Sequence, residues 1–157
     1  MKNPQHSHNM QLRDRLFRLV ETDTLAVAVY EQAILRTADD DLRTTLHDFQ
    51  AQHLQHVREL PAAIQHFGWA TPEFKLDTRD HLAEWVTGVR CGHSDERVLR
   101  TLHVAERRHA DAYGQAVEWD IDDAQLLELL IAFREHETAH LVYVEETLAS
   151  SVASPQE

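Results

Sequence analysis

Little in this chain would let it turn sharply, cross-link or enter a membrane. Four Gly and four Pro in 157 residues leave few tight turns and point to long helices. The single cysteine, Cys91, cannot close an internal disulfide, which excludes a secreted scaffold stapled by bridges. Beside Gly92 it is a weak sign of a reactive thiol. No signal peptide or transmembrane span is visible, so the cytoplasm is the expected location and no membrane partner is expected. There is no glycine-rich phosphate loop, no H-E-x-x-H and no G-x-S-x-G. Polybasic stretches are absent too. With 27 acidic against 15 basic residues the formal charge is -12, and an acidic surface repels phosphate backbones, so nucleic acid is not an expected partner.

What is present is a helical pattern. Hydrophobic residues make up 43% and charged residues 27%, the balance of one globular domain, here spanning 1–157 with an ordered core of about 10–148. Helix 1 is expected over about 10–37, with Leu12, Leu16, Leu19 or Val20, Asp23, Val27, Tyr30 and Ile34 facing inward. An aspartate of the 39–41 run caps helix 2, expected over about 40–67. Its stripe is Leu42, Leu46, Phe49, His53, His56 or Val57, Leu60 and Ile64. Pro61 should bend or interrupt it, and Gly68 is a plausible stop.

A long connection follows, with a short helix expected over about 78–89 from Leu82, Trp85, Val86 and Val89. Ser94 starts helix 3, expected over about 95–118, and helix 4 is expected over about 123–148. The first ten residues and those from Ala149 on are expected to fray. Two hairpins of long helices joined by a crossover make an all-α four-helix bundle. An exposed stripe could pair two copies, so a homo-oligomer, with a dimer favoured, is expected.

The inward stripes carry residues that do not belong in an ordinary core. Glu106-Arg-Arg-His109 on helix 3 is echoed by Glu137-Thr-Ala-His140 on helix 4. Residues three apart share a helix face, so each pair can address one metal ion. Asp23 lies roughly 15 residues before the first hairpin turn and His53 roughly 15 after it; Glu106 and Glu137 stand in the same relation to the second turn, at roughly 14 and 16. All four then come level near the bundle's midplane, with His56, His109 and His140 one turn away. Glu31 competes with Asp23 as the ligand from helix 1. A lone buried histidine is more often a hydrogen-bonded core residue than a ligand. Two Glu-x-x-His copies at matching depth are a stronger sign. Carboxylates and imidazoles together suit iron, with zinc or manganese as alternatives. Tyr30 and Tyr113 lie on inward stripes, where each could hydrogen-bond a ligand carboxylate or simply fill core.

These residues resemble the ferritin-like superfamily of four-helix bundles, which includes ferritins, bacterioferritins and rubrerythrin-type proteins. The resemblance spans about residues 11–148. In detail the chain is similar to an uncharacterised small bacterial branch whose third helix carries a glutamate-rich segment followed by a tyrosine, matched by Glu106, His109 and Tyr113. The superfamily pattern has one Glu on helix 1, Glu-x-x-His on helix 2, one Glu on helix 3 and Glu-x-x-His on helix 4. Glu137 and His140 match helix 4, and Glu106 matches helix 3 with His109 as an addition. Helix 1 offers Asp23 or Glu31, and helix 2 departs from the pattern with His53-Leu-Gln-His56.

The resemblance implies metal-ion binding, up to two irons per chain, and ferroxidase or peroxide-consuming oxidoreductase chemistry. The departure on helix 2 leaves one metal, zinc, or a vestigial polar core open as well. The competing reading is a non-catalytic helical bundle used in a stress response or in protein interaction. It predicts the same residues paired with one another and no metal uptake. Haemerythrin-like oxygen binding fits the histidine spacing poorly.

Overall fold

The computed structural model describes residues 4–70 and 94–153. Within them the chain forms α1 (Pro4–Arg36), α2 (Asp40–His66), α3 (Asp95–Ala116) and α4 (Ala124–Ala153). The helices pair as two hairpins, α1 with α2 and α3 with α4; α1 also lies beside α3, and α2 beside α4. This is the all-α four-helix bundle expected from the stripes, in the ferritin-like arrangement that the resemblance implied. The short helix expected over 78–89, Trp85 and Cys91 lie outside the described residues.

Local chemistry sets the helix ends. Asp39 caps α2 by accepting from the Leu42 N–H at 2.7 Å, and Asp123 caps α4 through the Leu126 N–H at 2.7 Å. Gly68 takes φ 74° and donates its N–H to the Gln65 carbonyl at 2.9 Å, the left-handed step that stops α2. Asp95, in the first turn of α3, accepts from the backbone N–H groups of Ala38 and Asp39 at 2.8 and 3.0 Å. That contact ties the start of α3 to the α1–α2 turn. At the opposite end, His8 on α1 meets the Asp120 carbonyl of the α3–α4 turn at 3.1 Å. Phe67 and Trp69, where α2 ends, pack there as well. α2 and α3 therefore both start at the α1–α2 turn and run parallel.

Two local expectations are corrected, and at Pro61 one of two alternatives is removed. α1 begins at Pro4 rather than near residue 10. His8 on this added length of helix is held by its contact with the Asp120 carbonyl. α4 continues to Ala153 instead of fraying from Ala149. Ser150 and Ser151 sustain that last turn by donating their hydroxyls to the carbonyls of Glu146 and Leu148, at 3.0 and 2.8 Å. α2 is not interrupted at Pro61. Leu60 and Ile64, both fully buried, anchor the turn on either side of it.

The core is divided in two. One apolar cluster, built on Leu16, Val20, Leu60, Ile64, Leu130 and Phe133, fills the end near the α3–α4 turn. The other, built on Val29, Ala33, Leu46, Leu99, Leu102 and Val144, fills the end near the α1–α2 turn. Burying these side chains drives the assembly, at about 1.5–3 kcal/mol for each large one. Between the two clusters lies a band of buried polar residues. Among the described residues no helix is long and apolar enough to cross a membrane.

Candidate metal centre

Each helix delivers polar residues to this band from its own inward stripe. α1 brings Asp23, α2 brings His53 and His56, α3 brings Glu106 and His109, and α4 brings Glu137 and His140. All are fully buried except His109, which is 4% exposed. Such a concentration of titratable groups in a core is costly unless the groups pair or bind an ion.

Asp23 is the most fully satisfied of them. Its Oδ1 lies 2.9 Å from His53 Nδ1 and 3.1 Å from His56 Nδ1, and its Oδ2 accepts from the Tyr113 hydroxyl at 2.5 Å. Burial works to raise the Asp23 pKa, but hydrogen bonds and charge from His53 and His56 outweigh it and hold the carboxyl well below its ordinary value. As a carboxylate Asp23 can only accept, so both imidazoles present N–H at Nδ1. His56 Nε2 lies 3.0 Å from His136 Nδ1, and burial and the charge on His56 lower the His136 pKa, so His136 is the acceptor when His56 is protonated. Phe133 stacks on the His56 ring with centroids 3.8 Å apart.

The other half of the band is not satisfied. Tyr30 donates to Glu106 Oε1 at 2.7 Å, which leaves Glu106 Oε2 without a partner. His140 Nε2 donates to Gln52 Oε1 at 2.6 Å, which leaves His140 Nδ1 without one. His53 Nε2, His109 Nδ1 and both Glu137 oxygens are likewise buried and without a hydrogen bond. These atoms nevertheless crowd together. His140 Nδ1 is 3.3 Å from Glu106 Oε2 and 3.9 Å from Glu137 Oε2. His109 Nδ1 is 3.9 Å from Glu106 Oε1 and 3.7 Å from Glu137 Oε2. His53 Nε2 is 3.8 Å from Glu106 Oε1. Folded proteins leave few buried polar atoms unpaired, so six in one place call for an explanation.

Donor chemistry supplies one. Two overlapping groups hold ligand atoms mutually within 4.8 Å: Asp23, His53, His56 and Glu137, and His53, Glu106, Glu137 and His140. They share His53 and Glu137, so they mark adjacent positions of the kind a two-metal centre needs. Imidazole nitrogen and carboxylate oxygen suit iron, manganese and zinc. The residues present fit a metal ion.

Without a metal, protons take its place. Burial lowers the pKa of His53, His56 and His109, yet the carboxylates around them win and raise all three above the ordinary 6.5. For Glu106, burial raises the pKa and contacts with His109, His140 and His53 reverse it, keeping the carboxyl ionised. Burial, then Glu106 for Tyr30 and Asp23 for Tyr113, pushes both phenols well above 10.0, so each remains a donor.

Of the eight residues singled out in the sequence, the structure gathers Asp23, His53, His56, Glu106, His109, Glu137 and His140 into one band. It does not bring in Glu31, which is exposed. The adjacent Tyr30 takes the inward direction at that level of α1, and one helical step of about 100° turns Glu31 away. Gln52 and His136 touch the band although neither belongs to an inward apolar stripe. Their sequence signal is position: Gln52 and His136 each stand one residue before an inward ligand, His53 and Glu137, on the shoulder of the stripe.

No curated protein and no solved structure matches this chain. The matched family model covers residues 11–120, which includes α3 but stops short of α4 and of Glu137 and His140. Its description is a domain of unknown function, DUF2383, and because it spans well over half of the sequence, the chain belongs to that family.

Proposed function

We propose that this is a ferritin-like metal-binding protein whose two metal positions are unequal. The observation that carries this reading is the set of six unpaired buried atoms on His53, Glu106, His109, Glu137 and His140. These residues form the first and tighter position. Each of three ligands is held by a neighbour through its other polar atom: His53 by Asp23, His140 by Gln52 and Glu106 by Tyr30. Such outer partners fix which nitrogen is free and which way it points.

The second position would draw on Asp23, His56 and the free Oε1 of Glu137. Asp23 and His56 are already saturated by hydrogen bonds, which an ion must break before it can bind there. Binding at this position is therefore weaker.

Iron is the metal we favour, from the mixed imidazole and carboxylate donors and the ferritin-like bundle. Bound iron would supply one-electron exchange with dioxygen or peroxide, which is ferroxidase or peroxide-consuming chemistry. The chain's own part is to hold the donors dry between two apolar clusters and to keep both tyrosines protonated beside the carboxylates. Membership of the small bacterial ferritin-like branch belongs to this same proposal.

Anaerobic titration of metal-free protein with Fe(II), followed calorimetrically, tests it. We expect one tight equivalent per chain and then a weaker one. Absence of any stoichiometric binding would turn the reading toward a structural or interaction bundle. Two equivalents of equal affinity would remove the distinction between the positions.

A further inference from the structure

We infer that a groove between α1 and α3 is the binding site for a small, uncharged, largely apolar molecule that reaches the metal centre past His109. α1 and α3 pack less closely than the helices within either hairpin. Where they face each other the side chains are small: Ala26 on α1, Ala105 and Ala112 on α3. A cavity of about 250 Å³ results. Its inner wall is Ala26, Val29, Tyr30, Ala105 and His109, all buried, and its rim is Thr22, Leu25, Ala112 and the exposed Arg108.

Continuity with the polar band makes this more than a seam between helices. Tyr30 and His109 belong to both: the Tyr30 hydroxyl donates to Glu106 Oε1, and His109 Nδ1 is unpartnered beside Glu106 and Glu137. His109 is also the most exposed of the candidate ligands, at 4% against 0% for the other six, and Tyr30 beside it is 1% exposed. The thinnest barrier between the band and this groove is therefore a single imidazole ring.

The lining chooses the ligand class. The chain has 27 acidic residues, yet among the described residues none of them lines the groove, and its rim carries a guanidinium. A metal cation has nothing to gain by entering here. The wall is mostly aliphatic, and the Tyr30 hydroxyl is already committed to Glu106. A dry apolar cavity of about 150 Å³ holds benzene, so this volume admits a single-ring molecule. The role of that molecule as co-substrate rests on the metal-centre reading; the groove itself does not.

Titration of toluene into metal-free and zinc-loaded protein, followed by backbone amide NMR shifts, tests the inference. Saturable shifts should cluster at residues 22–30 and 105–112. Ala112→Leu, on the half-buried rim, and Ala26→Leu, on the wall, should each weaken toluene binding at least about tenfold by occupying the space. Neither should change the zinc stoichiometry. No saturable shift in the wild type, or undiminished, wild-type affinity in both variants, overturns the groove as a site. Toluene binding by a protein that takes up no metal would uphold the groove and defeat the metal centre. Zinc uptake without toluene binding would do the reverse.

Discussion

Tyr113 on α3 donates its hydroxyl to Asp23 Oδ2 on α1 at 2.5 Å, joining the two hairpins through a carboxylate that also receives His53 and His56 from α2. Asp23 thus accepts from two other helices at once, and its charge is compensated entirely by neighbours. Removing that charge while leaving its donors buried should be severe. Asp23→Asn is expected to cost about 3–5 kcal/mol in the metal-free protein, the range for breaking a buried ionic network. Tyr113→Phe removes one hydrogen bond to a charged acceptor and should cost about 1.5–3 kcal/mol. Urea unfolding of both variants measures the difference; equal, small losses would mean that Asp23 is not the hub.

Metal and protons compete for the same imidazoles, which gives a pH dependence of definite sign. His53, His56 and His109 have folded pKa values above 6.5. Their contribution to metal-free stability is complete below 6.5 and fades as pH rises through the raised values. Asp23 and Glu106 are lowered from 3.8 and 4.5, so their contribution is present above those values and fades as pH falls through the depressed ones. The metal-free protein should therefore be most stable between about pH 4.5 and 6.5. Ligation needs the imidazoles neutral, so the rise in melting temperature on adding zinc should grow from about pH 6 to about pH 8. A metal-induced rise that shrinks over that range would contradict the histidine assignments.

Glu31 and Glu106 provide a contrast between two glutamates on facing helices. Glu31→Gln should alter stability by less than about 0.5 kcal/mol and leave metal stoichiometry unchanged, because the side chain is exposed. Glu106→Gln should abolish the tight equivalent, since Oε2 is among the unpaired atoms and Oε1 is held by Tyr30. Elemental analysis after dialysis reads both. Loss of metal from the Glu31 variant would restore Glu31 as the helix 1 ligand.

The midplane was legible in the sequence because helical rise converts residue counts from a turn into depth. Asp23 and His53, counted from the 37–39 turn, do meet at 2.9 Å. Glu106 and Glu137, counted from the second turn, both lie within reach of His109 and His140. Depth does not give azimuth as sharply, and so residue counting alone does not separate Glu31 from Asp23. Gln52 and His136 were harder still. They lie on the flanks of their helices, where periodicity marks a residue as half-buried without saying what it touches. The division between a satisfied half and an unsatisfied half depends on which oxygen or nitrogen each neighbour engages, and no spacing rule encodes that.

Gln52 offers the sharpest test of that division. It touches no carboxylate of the band, and its Oε1 accepts from His140 Nε2 at 2.6 Å. The consequence is that His140 carries its proton away from the carboxylates and directs a free Nδ1 at Glu106 Oε2, 3.3 Å away. Phe49 holds the ring itself in place by stacking on it, with centroids 4.0 Å apart. Gln52→Leu removes the acceptor and leaves that packing, so the ring stays while its preferred tautomer is lost. Metal affinity should fall about 10–100-fold, the usual effect of losing such an outer partner. Gln52→Glu presents a stronger acceptor at the same place and should retain or increase affinity. If Gln52 served only to fill space, the near-isosteric Leu and Glu variants would behave alike. Calorimetric titration of zinc into both variants distinguishes the two cases: a loss of about 10–100-fold with Leu below the wild type marks the lost hydrogen bond, and wild-type affinity in the Leu variant means that Gln52 only fills space.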